Sequence, residues 1–76
     1  MRDKRLYGHQ IWIQMKDGTT SKLFYNLESS KTKDSLDDWK KMTANADKEI
    51  SCAIYQEVWL DQDNVESYYD LDYYGL

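Results

Sequence analysis

Cys52 and His9 are the residues from which a nucleophile and its base would have to come, since the chain has one cysteine and one histidine. A thiolate mechanism needs the two within hydrogen-bond reach. Period-two spacing places Cys52 on the inward parity of its strand, where a cysteine serves as a small buried hydrophobe, and His9 reads as an ordinary strand-entry residue. Metal chemistry is equally unsupported. One Cys and one His make no zinc set. The run Asp61-Gln62-Asp63-Asn64-Val65-Glu66 begins like a calcium loop but puts Val65 and Glu66 where that loop wants an oxygen ligand and a glycine. Paired carboxylates such as Glu57 and Asp61 would do acid–base work only inside a walled site, which a 76-residue chain is too small to build. Gly8, Gly18 and Gly75 are isolated, so no phosphate-cradling loop exists. The expectation is a chain that is not an enzyme and carries no catalytic residue, cofactor or metal.

What remains is electrostatic and aromatic. Residues 1–48 hold all ten Lys and Arg against seven acids, a net charge of +3, whereas residues 49–76 hold seven acids and no base, a net charge of −7. The charge is layered along the chain although the total is only −4. Glu49, Glu57, Asp61 and Asp63 share one strand parity, and neighbours on such a row stand about 6.7 Å apart. On a helix, Glu66 and Asp70 would bring their β-carbons about 5–6 Å apart. Both spacings resemble the step between phosphates, so such carboxylates can occupy a Lys/Arg groove that holds nucleic acid, with salt weakening the contact. Glu57, Asp61, Asp63, Glu66, Asp70 and Asp72 are the expected contact set, and Trp59, Tyr69 and Tyr73 its aromatic anchors. A solvated acidic face that serves solubility is the alternative.

These residues have to be positioned by a few short elements. Gln10 to Lys16 alternates, with Ile11, Ile13 and Met15 on one face, and predicts a half-buried strand. Asp17-Gly18 predicts a tight type I′ turn, and Thr20 to Leu27 the return strand. Residues 28–34 are polar and end the hairpin. Ser35 as cap, Asp37 and Asp38 in the first turn, and Leu36, Trp39, Met42 and Ala46 at helical spacing predict a helix from 36 to about 47. Glu49 to Leu60 returns to period two, with Ile50, Cys52, Ile54, Val58 and Leu60 assigned inward. Asp63-Asn64-Val65-Glu66 has capping-box spacing and suggests a short C-terminal helix lined by Val65, Tyr69 and Tyr73. The expected fold is α+β: one domain, 1–76, with a small antiparallel sheet in β-β-α-β order, a packed central helix and that short C-terminal helix.

If the helix packs on Ile11, Ile13, Leu23, Leu27, Ile50, Ile54 and Val58, the other sheet face displays Trp12, Phe24, Tyr55 and Trp59. A patch of that kind asks for a cover. The Tyr-rich tail folding back is one, a homodimer through Trp12, Phe24 and Tyr55 is another, and a different partner is the third. Stacking of single-stranded nucleic acid on Trp12, Phe24 and Tyr55 fits the open face but lacks a basic track.

In size and charge the chain resembles the small acidic phage-encoded inhibitors of host defence enzymes or polymerases, the anti-CRISPR and anti-restriction proteins among them. That resemblance implies a non-enzymatic binding protein whose acidic, Tyr-rich C-terminal half occupies the basic surface of a nucleic-acid-handling protein of the host. A structural or homo-oligomerisation module is the alternative. With no apolar run of membrane-spanning length and an interrupted N-terminal apolar stretch, the expected location is cytoplasmic, with neither membrane nor direct nucleic-acid binding.

Overall fold

Alternating strands and two tight turns give a four-stranded antiparallel sheet in the computed structural model of the chain, which describes residues 3–27, 35–46 and 49–75. β1 (Arg5–Met15) and β2 (Thr20–Asn26) form one hairpin, α1 (Ser35–Ala44) follows, and β3 (Ile50–Leu60) and β4 (Glu66–Tyr74) form the second. The spatial order is β2-β1-β3-β4, which puts the two longest strands in the centre and the shorter ones at the edges. Among the described residues no helix is long and apolar enough to cross a membrane.

The class is α+β, but the element order is β-β-α-β-β: the expected C-terminal helix is the strand β4. The residues taken for a capping box instead build a hairpin turn. Asp61 Oδ1 accepts from the amides of Asp63 (2.8 Å) and Val65 (3.0 Å), and Asn64 takes the left-handed conformation at φ 62°. Asn is one of the few side chains that tolerates that region. The turn then commits the tyrosines to an extended strand, which aromatics favour and which β3 pairs in an antiparallel ladder with one irregularity, between Tyr55 and Gln56. The first hairpin uses the same device. Met15 O accepts from Gly18 N (3.1 Å), Met15 N donates to Thr19 O (2.8 Å), and Gly18 lies at φ 95°. The loop is thus three residues ending in a left-handed glycine, not the two-residue type I′ turn expected at Asp17-Gly18. Asp17 Oδ1 secures it by accepting from Thr19 N at 2.9 Å and Thr19 Oγ1 at 2.7 Å; these bonds, the backbone one first, lower the Asp17 pKa.

The core is Ile11, Ile13, Trp39, Ala53 and Tyr55. Register explains its membership: Ile11 pairs with Tyr55 and Ile13 with Ala53, so those four side chains share the helix face. The parity expected for β3 is therefore inverted from Cys52 onward, whereas Ile50, on the far side of the irregularity at Gln14 and Met15, packs against the core as expected. Cys52, Ile54, Val58 and Leu60 lie on the face away from α1, and of the rings expected on the open face Tyr55 is buried between helix and sheet and Trp59 stands half-buried on the helix side. Trp39 decides the matter by volume, because its indole needs the small Ala53 in the core and a ring to stack on. Its plane lies 17° from that of Tyr55 with centroids 5.6 Å apart, and Tyr55 in turn stacks on His9 at 5.6 Å. Leu23 and Leu27, expected in the core, are exposed.

The helix phase follows the same ring. Ser35, Trp39, Met42 and Ala46 fall on the inward stripe, and Leu36, expected inside, is 45% exposed one position off it. Ser35 does not stand outside the helix as its cap; its Oγ lies 2.8 Å from the Tyr55 hydroxyl. The helix ends at Ala44 rather than about 47, and residues 28–34, 47 and 48 lie outside the described residues.

A second phenol ties the helix to β2. Tyr25 donates to Asp38 Oδ2 at 3.0 Å, and burial, followed by this bond to Asp38, pushes its pKa up to about 12. The neutral phenol is the form the fold holds, so its stabilisation is complete below pH 10 and is lost as pH rises through about 12. Tyr25→Phe is therefore expected to lower stability at neutral pH and to flatten the decline between about pH 10 and 12. Thermal melts across that window test this, and parallel alkaline limbs in parent and variant would refute it.

Candidate functional site

The helix covers only part of the sheet face it packs on. Along β3 the helix-side residues are Ala53, Tyr55, Glu57 and Trp59 in turn; the first two lie in the core with Trp39, while Glu57 and Trp59 remain half-buried. Tyr69 of β4 pairs across from Glu57 and is 50% exposed. Its ring meets that of Trp59 nearly at right angles, 88° with centroids 6.4 Å apart. Trp59 Nε1 donates to Glu57 Oε1 at 3.1 Å, which satisfies the indole and fixes the carboxylate beside the rings. With Lys4 these three side chains line an open cleft of about 370 Å³. Lys4 Nζ donates to Ser67 Oγ at 3.3 Å, and Arg5 Nη2 to Asn64 Oδ1 at 3.2 Å, so the N-terminal segment is tied to the second hairpin at this end.

A carboxylate flanked by two perpendicular aromatic rings is suited to a cation. The carboxylate supplies charge, and ring faces attract an ammonium or guanidinium through their quadrupoles. The turn at Asp61 and Asp63 follows directly after β3. Asp63 is exposed, whereas Asp61 is already committed through Oδ1 to the turn amides.

The rest of the expected contact set disperses. Asp72 lies on the helix side, where its Oδ2 accepts from Trp39 Nε1 at 3.1 Å; it anchors the core. Glu66, Asp70 and Tyr73 lie on the opposite face of the sheet. Tyr68 donates its hydroxyl to Glu66 Oε1, and the Tyr73 hydroxyl donates to Asp70 Oδ2 at 2.8 Å. The row Glu49, Glu57, Asp61 and Asp63 does not form, because β3 starts at Ile50 and ends at Leu60, which leaves Glu57 alone on the strand. Nor are Glu66 and Asp70 helical neighbours: four residues along a strand separate them by roughly 13 Å.

Sequence reasoning missed a polar ladder across the open face. Gln10 Nε2 donates to Gln56 Oε1 at 2.8 Å, and Gln56 Nε2 donates to Asp70 Oδ1 at 2.8 Å. Gln56, and secondarily Tyr73, hold the Asp70 carboxyl below its ordinary pKa. The signal available was Gln56 itself, the one polar residue interrupting an otherwise apolar parity. Lys4, from the N-terminal segment, was also unforeseen in the cleft. The tyrosine tail does not fold over the open face; as β4 it widens that face and adds Tyr68 and Tyr73 to it. Cys52 and His9 occupy opposite faces of the sheet and are not a nucleophile and base. Cys52 Sγ lies 3.6 Å from Gln14 Oε1, and His9 stacks on Tyr55. No family model, curated protein or solved structure matches the chain.

Proposed function

We propose that the chain is a non-enzymatic binding protein that engages a basic protein surface through the Glu57–Trp59–Tyr69 cleft and its acidic turn, blocking a nucleic-acid-handling partner. The observation that carries this reading is the convergence of one carboxylate and two partly exposed rings from two strands on a single cleft. An Arg or Lys side chain from the partner enters the cleft beside Lys4, whose ammonium is engaged by Ser67 Oγ, and draws charge from Glu57 and ring faces from Trp59 and Tyr69. Asp63 on the turn, and Glu66 beyond it, steer approach over distances that salt shortens. A chain whose residues 49–76 contain seven acids and no base repels polyanions, so its role toward nucleic acid is competition for the partner's surface.

The test is titration of the full chain with an Arg/Lys-rich peptide, followed by tryptophan fluorescence, beside a single-stranded oligonucleotide at the same low salt. The peptide is expected to bind and the oligonucleotide not to. Trp59→Ala and Glu57→Gln should each weaken peptide binding by roughly tenfold or more, as central anchors do. Asp63→Lys should chiefly slow association and reduce its salt dependence; Asp61 is unsuitable for this purpose because its carboxylate builds the turn. Peptide binding that ignores both Glu57→Gln and Trp59→Ala, or preferential binding of the oligonucleotide, would overturn the proposal.

A further inference from the structure

The face of the sheet opposite α1 carries a second, independent surface. Trp12 and Ile54 are adjacent partners in the β1–β3 ladder, Phe24 stands beside Gln10 on β2, and the Gln10–Gln56 row separates Trp12 and Ile54 from Tyr68; Phe24 and Tyr68 are 44% and 46% exposed. Trp12, Ile54 and Tyr68 share the lining of a broad shallow depression of about 520 Å³ with polar residues, Gln10, Gln56 and Lys22 among them. Among the described residues nothing covers it. Partly exposed aromatic rings gathered on one sheet face mark an interface more often than rings scattered singly do.

The charges at its two margins are opposite. Lys22 stands on β2, paired with Trp12, at one edge of the sheet, and Glu66 and Asp70 stand on β4 at the other. We infer that this face binds a second copy of the same chain, sheet against sheet, about a two-fold axis parallel to the strands. That operation exchanges the edges and sets β2 of each copy over β4 of the other, so Lys22 meets the partner's acidic margin twice. A two-fold axis across the strands would instead stack like edges and oppose like charges. The levels agree as well. Lys22, Trp12, Ile54 and Tyr73 lie in one cross-strand row, and Asp70 lies in the adjoining row on the same face. The offset is about 6.7 Å, within the reach of a lysine side chain.

The area is sufficient for a modest dimer. Four strands about 4.8 Å apart and roughly 31 Å in mean length give a face of roughly 600 Å², at the lower end of what specific interfaces bury per partner. Aligned sheets pack about 10 Å apart, a spacing that Trp12, Ile54, Phe24 and Tyr68 are large enough to fill. The Gln10–Gln56–Asp70 ladder arrives with its amides bonded to one another, which lowers the cost of removing water from it. The Glu57–Trp59–Tyr69 cleft lies on the other side of the sheet and stays free in this dimer.

Sedimentation velocity of the full chain over a concentration series, at low and high salt, tests the proposal. The mass is expected to rise from 9.1 kDa toward twice that value, with a weaker transition at high salt. Lys22→Glu and Asp70→Lys should each raise the dissociation constant by about tenfold or more, and combining them should restore association because the two charges are exchanged. Circular dichroism checks that each variant is folded; if Asp70→Lys is not, Lys22→Glu alone still decides between charge pairing and its absence. A chain that stays at 9.1 kDa throughout, a dimer indifferent to Lys22→Glu, or a folded double variant that remains dissociated would each refute the proposal. So would a monomer that takes single-stranded oligonucleotide on this face, since the rings would then be stacking platforms.

Discussion

Trp39→Ala is expected to unfold the domain, or to leave it folded only at low temperature. The indole is 3% exposed, stacks on Tyr55 and donates its N–H to Asp72 Oδ2, so one side chain joins the helix both to the central strand β3 and to the edge strand β4. Removing a buried tryptophan costs about 3–5 kcal/mol through lost transfer energy and the cavity left behind. A chain of this size has a total stability of roughly 4–11 kcal/mol. The truncation also removes one of the two donors to the Asp72 carboxylate, which keeps the Tyr73 amide at 2.8 Å. Trp39→Phe is the milder truncation: it keeps a ring against Tyr55 but loses the hydrogen bond to a charged acceptor, at roughly 1.5–3 kcal/mol, together with the part of the indole volume that phenyl does not fill. Urea denaturation followed by far-UV circular dichroism measures both. If Trp39→Ala is within about 1 kcal/mol of the parent, the helix is not held by this residue and the core assignment fails.

Gly8→Ala is the second large effect, and its cause lies in backbone contact. A Cβ at position 8 would lie 2.3 Å from the carbonyl oxygen of Tyr25 and 2.9 Å from Phe24 Cζ. The phenyl ring can rotate away, but the carbonyl belongs to β2, next to the pair that Gly8 makes with Asn26. Gly8 also pairs with Val58 at the irregularity that follows Leu6, so β1 has little room to shift toward β3. The methyl has to push the first hairpin apart, at a cost of about 3 kcal/mol or more. Gly18→Ala is the control. No atom lies within 4 Å of its added Cβ, but φ is +95°, so it should lose only about 1–2 kcal/mol through backbone strain. Denaturation of the two variants should rank them in that order, with hydrogen exchange accelerated in β2 for Gly8→Ala. Equal losses, or none at Gly8, would show that the strands separate freely there.

The hairpin of β1 and β2, the central helix and the third strand were legible in the sequence because each has one dominant periodic signal. β1 has Ile11, Ile13 and Met15 on one parity and polar residues on most of the other, so its inward face was unambiguous. The helix announced itself through Trp39, Met42 and Ala46 at helical spacing after an acidic first turn. Its exact phase was less legible, since Leu36 is a better hydrophobe than Ser35 and yet lies outside: a hydroxyl pairing with buried Tyr55 outweighed one exposed leucine.

In β3 the local signal failed for a physical reason. Ile50, Cys52, Ile54, Val58 and Leu60 on one parity compete with Ala53, Tyr55 and Trp59 on the other, and a strand apolar on both faces does not say which face the helix covers. Register with β1 and the volume of Trp39 settled it, and both are properties of the assembled sheet. β4 failed differently. A strand needs a neighbour for its backbone hydrogen bonds, whereas capping-box spacing is visible locally, so the local reading favoured a helix until β3 offered an edge. For the candidate site, the sequence by itself determined the residue types: the acids without a compensating base and the aromatics set among them. Which of these meet was decided by tertiary structure alone, because cross-strand pairing brings Glu57 opposite Tyr69 while the pleat sends Glu66 and Asp70 to the other face and the irregularity opposite Tyr55 and Gln56 turns Asp72 back toward Trp39.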